Sequence, residues 1–174
     1  MTHLALVGLM GSGKSTVGRR VAERLRRSFV DSDREVERRT GRSVRDLFAE
    51  RGETEFRRLE AEVMADTLRS DRPMVVAAAG GAVLNEETRR LLRESARTVF
   101  LDASVERLLE RVGARANKSR GHRPLLDGDP ENKLREMERV RRDLYLEVSA
   151  HRVEVDDKTL EQVVDEIVRW TEER

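Results

Sequence analysis

The chain has 174 residues, of which 37% are hydrophobic and 40% are charged, and its 35 Lys and Arg nearly balance its 34 Asp and Glu. This length fits one domain with a buried core, while a net charge of +1 argues against a general nucleic-acid-binding protein, which should carry a basic excess. The absence of Cys excludes disulfides, Cys metal sites and a Cys nucleophile.

The apolar run at the N-terminus, Leu4–Val7, is too short for a signal peptide or a membrane span. We therefore expect a soluble cytoplasmic protein with no membrane or nucleic-acid partner. We also expect a monomer with one domain that spans residues 1-174.

Short apolar runs then alternate with longer amphipathic stretches. Strands are predicted at 4–9, 28–31, 74–79, 98–101 and 152–155, and helices at 17–25, 47–68, 88–94, 105–112, 132–148 and 160–170. This alternation predicts an α/β layer fold with a mostly parallel sheet. Residues 4–9 and 74–79 are continuously apolar, as strands buried on both faces should be. Residues 115–124 are basic and lack apolar periodicity, so they are predicted to form a loop.

The first predicted strand leads into Gly8-Leu9-Met10-Gly11-Ser12-Gly13-Lys14-Ser15, which matches the P-loop pattern G-x-x-x-x-G-K-[ST]. Its glycines allow a tight turn that points N–H groups at phosphate oxygens, and the following helix adds its unsatisfied N–H groups and positive dipole end. Lys14 is expected to reach the outer phosphates and Ser15 to bind Mg²⁺. The sequence therefore predicts a nucleoside triphosphate site.

A P-loop alone does not separate GTPases, motor ATPases and kinases. The GTPase motif D-x-x-G is absent, and Asn117-Lys118-Ser119 is followed by Arg120 instead of the Asp of N-K-x-D. A motor ATPase would usually be larger. A small chain with a basic loop fits a phosphotransferase better.

Asp31 and Asp33 follow the second predicted strand, where ligands gather in parallel α/β sheets. If the chain stays extended, these two side chains point the same way. One carboxylate could then support Mg²⁺ or its waters, and the other could hold a substrate hydroxyl. The alternative is a turn and helix cap, because Ser and Asp are preferred N-cap residues.

Further short motifs follow in a fixed order. They are Asp31-Ser32-Asp33, Phe56-Arg57-Arg58-Leu59-Glu60, Gly80-Gly81-Ala82-Val83, Arg123-Pro124-Leu125-Leu126, and Arg141 ahead of Leu144-Tyr145. In their order and spacing, over nearly the whole chain, the sequence resembles the shikimate kinases, which belong to the nucleoside monophosphate kinase-like P-loop group. The resemblance implies a three-layer α/β/α sandwich of the P-loop NTPase type with a five-stranded parallel sheet of order 2-3-1-4-5. It also implies a lid at approximately 112-126 and an acceptor-binding region at approximately 32-61.

The same resemblance implies an enzyme that transfers the γ-phosphoryl group of ATP to the 3-hydroxyl of shikimate, with Mg²⁺ as cofactor. It assigns nucleotide binding to Gly11, Ser12, Gly13, Lys14, Ser15 and Thr16. It places Asp31 near Mg²⁺ with Ser15, and assigns Asp33 to the substrate hydroxyls and to deprotonation of the attacking one. It assigns the shikimate carboxylate to Arg57 and Arg141, and backbone N–H contacts with the substrate to Gly80 and Gly81. Ala79 replaces the first glycine of the family's Gly-Gly-Gly.

In the implied lid, Arg123 matches the arginine that reaches the transferring phosphoryl group, where a fixed positive charge meets the charge that develops. We group it with Lys14 and Asp33 as catalytic. Arg115, Lys118 and Arg120 are interpreted as solvated lid residues. Arg111 matches an arginine near the adenine or the phosphates, and residues 156–159 match the adenine loop. Tyr145 and Trp170 are interpreted as packing residues.

Three alternatives stay open. A kinase of another carboxylated polyol, such as gluconate, would also use Arg57 and Arg141. A nucleotide-binding regulator without transfer activity would not need Asp33 and Arg123. A nucleoside monophosphate kinase would need a pocket for a base and a phosphate, which no feature of the sequence indicates.

Overall fold

The computed structural model describes residues 2–116 and 128–173. Five strands form one parallel sheet of order β2-β3-β1-β4-β5. The strands are β1 (His3–Val7), β2 (Ser28–Asp31), β3 (Met74–Ala77), β4 (Ala96–Asp102) and β5 (His151–Glu154). The helices are α1 (Lys14–Leu25), α2 (Ser32–Thr40), α3 (Val44–Leu68), α4 (Glu86–Ser95), α5 (Val105–Ala116), α6 (Pro130–Val148) and α7 (Leu160–Glu172). Helices cover both sides of the sheet, so the predicted sandwich and strand order are confirmed.

The central strand β1 positions the phosphate loop. All five of its residues are buried, because β3 and β4 flank it and helices cover both of its faces. Its register pairs Leu4 with Val75 of β3 and Ala5 with Thr98 of β4. The loop after β1 therefore lies at the middle of the carboxyl edge of the sheet, where parallel α/β proteins bind ligands.

Helix α2 was not predicted, and the reason lies in its composition. Its sequence SDREVERRT contains a single large apolar residue, Val36, so it has no apolar periodicity to detect. The helix begins directly after β2, with Asp31 as its N-cap. The extended arrangement considered for Asp31 and Asp33 is therefore wrong: Asp33 lies in the first turn of a helix.

Helices α2 and α3 build a small hydrophobic core of their own. It consists of Val36, Leu47, Phe56 and Val63, apart from the main core around the sheet. Helix α3 is interrupted at Gly52, where φ is 78° and ψ is 173°. A residue with a Cβ would be strained there, so glycine permits the break. This small core supports the region predicted to bind the acceptor.

The predicted lid is described only in part. Helix α5 continues to Ala116, four residues beyond the predicted end at Val112. Residues 117–127, with Arg123, Lys118 and Arg120, lie outside the described residues. Among the helices that are described, none is long and apolar enough to cross a membrane.

Candidate functional site

The phosphate loop joins β1 to α1. Gly13 is the N-cap of α1 with φ of 104°, a conformation that favours glycine, and no side chain caps the helix. At Gly8, where φ is 142°, an added Cβ would lie 2.6 Å from the Leu101 carbonyl oxygen. The loop therefore approaches β4 closely, and α1 begins there without a side-chain cap, as in helix N-termini that bind anions.

Lys14 and Ser15 begin α1 on the ligand side of the loop. The Lys14 Nζ donates hydrogen bonds to the carbonyl oxygens of Gly8 and Leu9, at 2.7 and 2.9 Å. The Ser15 hydroxyl donates to Asp31 Oδ2 at 2.5 Å. Asp31 in turn caps α2 by accepting from the Arg34 N–H at 3.3 Å. The P-loop lysine, the hydroxyl and a carboxylate thus lie together at the carboxyl edge of the sheet.

The chemistry of this donor set fits Mg²⁺. Ser15 and Asp31 offer hard oxygen ligands, which Mg²⁺ prefers. Within residues 2–116 and 128–173, no group of three or more His, Asp or Glu could hold a metal ion by itself. Mg²⁺ itself keeps several waters and is usually bound through one or two carboxylates together with substrate phosphates.

A cavity of about 340 Å³ connects the phosphate loop to the predicted acceptor region. On the nucleotide side its lining includes Gly11, Gly13, Lys14, Ser15 and Thr16. Asp31 and Asp33 line its middle, and on the acceptor side its lining includes Arg57, Gly80, Gly81 and Arg141. Ser12 does not line the cavity: its hydroxyl is buried and has no hydrogen-bond partner among the described residues.

Asp33 lies between the two ends of this cavity. Burial raises its pKa to about 7, and the carboxylates of Glu60 and Asp31 act in the same direction. Lys14 and Arg57 oppose this rise in the pKa of Asp33. The carboxyl group is thus within the electrostatic reach of both the P-loop lysine and the acceptor-side arginine. A carboxyl group whose pKa lies near neutrality can accept a proton from a bound molecule.

Arg57 is held by carboxylates of α3. Its Nη1 donates to both carboxylate oxygens of the buried Glu60, at 2.9 and 3.1 Å, and its Nε and Nη2 donate to Glu53 Oε1 at 3.3 and 3.2 Å. Burial raises the pKa of Glu60, which Arg57 and Arg141 partly offset. A Cβ added to Gly81 would lie only 2.1 Å from Arg57 Nη1. Gly81 therefore leaves the space that the guanidinium occupies.

Arg141 and Tyr145 bring α6 to the same end of the cavity. Arg141 is only 6% exposed, and its Nη1 lies 3.7 Å from where a Cβ on Gly80 would be. The Tyr145 ring stacks on Phe100 with centroids 5.1 Å apart, which agrees with the packing role. Its hydroxyl, however, donates to the Gly80 carbonyl oxygen at 2.5 Å, so Tyr145 has a polar contact as well as its packing role.

Several residues of this site had no role predicted from the sequence. Ser32 is fully buried, and its hydroxyl accepts a hydrogen bond from the Ala79 N–H at 2.8 Å, which ties α2 to the end of β3. Val44, Phe48 and Phe56 form an apolar part of the cavity lining. The rings of Phe48 and Phe56 are 4.7 Å apart. In the sequence, these three residues are apolar positions within a highly charged helical segment. Such a pattern indicates a hydrophobic core as readily as a ligand site.

Arg111 from α5 contacts the phosphate loop. Its Nη1 donates to the carbonyl oxygens of Gly11 and Ser12, at 3.1 and 3.2 Å. The structure thus brings this arginine against the phosphate loop, and its place near the adenine or the phosphates stays a prediction. Residues 156–159, which are predicted to match the adenine loop, contact the start of α5, because the Asp156 carboxylate accepts from the Ser104 N–H at 3.1 Å.

The described site can be compared with known proteins. A model of the shikimate kinase family matches residues 10–172. A shikimate kinase of Symbiobacterium thermophilum is 46% identical over 99% of this chain and 97% of its own length. One of Rhodococcus erythropolis is 40% identical over 94% of this chain and 93% of its own.

Solved structures agree with these relatives. The shikimate kinase of Acinetobacter baumannii in complex with shikimate has a TM-score of 0.90 at 35% identity, over 98% of this chain and 93% of that one. The shikimate kinase of Aquifex aeolicus has a TM-score of 0.81 at 35% identity, over 98% of this chain and 96% of that one. Because the family model covers nearly the whole chain and these relatives are at least 40% identical to it over 94% or more of its length, the chain belongs to the shikimate kinase family.

Proposed function

We propose that this protein transfers the γ-phosphoryl group of ATP to the 3-hydroxyl of shikimate, giving shikimate 3-phosphate and ADP. The observation that carries the proposal is the single cavity that joins Lys14 of the phosphate loop to Arg57 and Arg141, with Asp33 between them. A related protein of the same fold was solved in complex with shikimate, which supports this acceptor.

The acceptor end suits a cyclic carboxylic acid. Arg57 and Arg141 supply planar guanidinium groups, which bind carboxylates through paired hydrogen bonds. Val44, Phe48 and Phe56 supply an apolar surface for the carbon ring of shikimate. Gluconate, the alternative acceptor, is an open chain with hydroxyls along its length, so it would place polar groups against that surface at a desolvation cost.

The proposed mechanism depends on position and charge. Asp33 accepts the proton of the attacking hydroxyl, and Lys14 with the N–H groups of the phosphate loop holds the phosphates in line with it. Mg²⁺, held by Ser15 and Asp31, would neutralise phosphate charge when bound. The carboxylate contacts to Arg57 and Arg141 orient the ring so that one hydroxyl faces the nucleotide.

The lid completes this proposal. We place it at approximately 112-126 within a single kinase domain of residues 1-174, with the acceptor-binding region at approximately 32-61. Arg123 is proposed to stabilise the transferring phosphoryl group, and closure of the lid to exclude water. Both roles rest on the motif match alone. We also propose a cytoplasmic monomer that acts on two small molecules, without nucleic-acid or membrane partners. The near-zero net charge supports only the absence of a nucleic-acid partner, which would favour a basic excess.

The test is ADP release from Mg-ATP with a panel of shikimate, quinate, gluconate and nucleoside monophosphates. We expect turnover with shikimate. Preference for gluconate would support the alternative, and absence of shikimate-dependent ADP release would overturn the proposal.

Adjacent arginines provide a matched control. Arg57→Ala should raise the KM for shikimate strongly, because Arg57 lines the cavity. Arg58→Ala should leave it unchanged, because the exposed Arg58 only pairs with Glu55 and Glu62 on the surface of α3. Equal effects of the two substitutions would contradict the role of Arg57.

A further inference from the structure

One contact at the acceptor end has no role in the mechanism above. The Tyr145 side chain is 1% exposed, and its hydroxyl donates to the Gly80 carbonyl oxygen at 2.5 Å. A hydroxyl is not needed to fill this space, since stacking on Phe100 could be supplied by a phenylalanine. The hydroxyl therefore adds a specific restraint on one peptide group of the turn after β3.

This restraint also fixes the next N–H. The Gly80–Gly81 peptide is trans, so the carbonyl of Gly80 and the N–H of Gly81 point in opposite directions from one rigid plane. With the carbonyl held toward Tyr145, the Gly81 N–H is directed away from it. That N–H has no acceptor within residues 2–116 and 128–173, and Gly81 lines the cavity. A donor without a partner thus stands at the edge of the acceptor region.

Tyr145 also lies near Arg141, which precedes it by one helical turn on α6. Burial raises the pKa of Tyr145 to about 12, while the nearby Arg141 guanidinium works in the opposite direction by charge and by hydrogen bonding. Residues four apart on a helix lie on the same face. The hydroxyl that contacts the turn after β3 therefore lies on the same face of α6 as Arg141, within the electrostatic reach of its guanidinium.

We propose that Tyr145 is a positioning residue for the acceptor: its hydroxyl holds the Gly80–Gly81 peptide and the Arg141 guanidinium in the one arrangement that lets both donate to the same bound molecule. This inference rests on the proposed function and identifies a determinant of acceptor affinity within the same site. Without the hydroxyl, the peptide and the guanidinium can each rotate, so part of the binding free energy is spent on ordering them.

The first test is Tyr145→Phe, which keeps the ring and removes one oxygen. We expect the KM for shikimate to rise roughly 5- to 20-fold, which is the effect expected from the loss of one well-placed hydrogen bond. The kcat and the KM for ATP should stay within about twofold, because Lys14 and Asp33 are untouched. Thr67→Val is the matched control: it removes a buried hydroxyl that donates to the Val63 carbonyl oxygen at 2.7 Å and is not part of the cavity lining.

A purely structural role would give a different result. Both variants would then lower the melting temperature and leave the KM for shikimate unchanged, which would overturn the proposal. An equal rise in the KM for ATP and for shikimate would also contradict it, because the restraint would then not be specific to the acceptor.

A second measurement uses the single Tyr of the chain. With ¹³C-labelled tyrosine, one ring signal reports Tyr145 alone. Shikimate should shift this signal in the wild-type protein, whereas ADP alone should not. A signal that responds to ADP and ignores shikimate would refute the role in acceptor binding.

Failure of the two proposals can be distinguished. A wild-type protein that does not turn over shikimate contradicts the proposed function. The effect of Tyr145→Phe is then read on whichever carboxylated acceptor of the panel is turned over, and an unchanged KM there contradicts the role of Tyr145. If no acceptor is turned over, both proposals fail.

Discussion

The substitution Gly81→Ala should displace the Arg57 guanidinium without straining the backbone. Gly81 has φ of −95° and ψ of −6°, which alanine adopts readily. The new methyl carbon would lie 2.1 Å from Arg57 Nη1, 2.3 Å from Cζ and 2.6 Å from Nη2. These separations are far below van der Waals contact, so the guanidinium must move away.

The cost follows from what Arg57 contacts. Its movement breaks the hydrogen bonds to the buried carboxylate of Glu60 and removes one partner of the acceptor carboxylate. Loss of one partner of a buried charged pair costs about 2–4 kcal/mol. For binding of the acceptor, this corresponds to a fall in kcat/KM for shikimate of roughly 30- to 700-fold, mainly through KM.

The assay is a double-mutant cycle of steady-state kinetics with Gly81→Ala, Arg57→Ala and the double variant. If the methyl group acts by displacing Arg57, Gly81→Ala should add little once Arg57 is absent. Circular dichroism and thermal unfolding check that each variant is folded. The steric reasoning would be refuted by a twofold or smaller effect in the wild-type background, or by an undiminished effect in the Arg57→Ala background.

Three further predictions concern other parts of the site. Arg123→Ala should lower kcat by roughly 10³- to 10⁵-fold, the range for an arginine that stabilises a transferring phosphoryl group, while substrate affinities stay mostly intact; an unchanged kcat would contradict its role in the lid. Asp31→Asn should raise the Mg²⁺ concentration needed for half-maximal rate, because a charged ligand is lost, and should leave α2 folded because Asn is an equally good N-cap; an unaltered Mg²⁺ dependence would show that Asp31 does not serve the metal. Asp102 accepts hydrogen bonds from Arg142 and Arg152, and although burial opposes ionisation, these bonds lower its pKa below the ordinary 3.8. The ionised Asp102 therefore contributes to stability above about pH 4, and this contribution is lost as pH falls through the lowered pKa. The difference in unfolding free energy between wild type and Asp102→Asn, measured by urea unfolding, should therefore shrink in acid; a constant difference would contradict this role.

Parts of this fold and site could be predicted because their signals are local. The strands of the core are short apolar runs, and the phosphate loop is a contiguous pattern whose glycines have a direct backbone reason. The strand order could not come from alternation, since alternation alone does not decide which strands are neighbours, and it followed from the family resemblance. Helix α2 was missed because a charged segment with one apolar residue carries no periodic signal.

The residues that face the acceptor end of the cavity could not be predicted from residue type alone. Arg57 and Arg58 are adjacent in sequence and chemically identical, yet only Arg57 faces the cavity and meets Glu60. Their difference depends on how α3 is rotated where it packs against α2 and α4, which is a tertiary property. Tyr145 and Gly80, which are in contact, are 65 positions apart in the sequence, so no local pattern could predict their contact.

The contacts of Arg57 also indicate how the site can accept an anion without leaving a buried charge unpaired. Its guanidinium contacts two carboxylates in different surroundings: the Glu60 side chain is 3% exposed, and that of Glu53 is 53% exposed. Loss of the contact with Glu60 would leave a buried charge, whereas water can solvate Glu53 at little cost. We therefore expect an acceptor carboxylate to replace Glu53 on the outer edge of Arg57 while Glu60 stays in place. The buried glutamate fixes the arginine, and the exposed one occupies its free edge until the ligand binds.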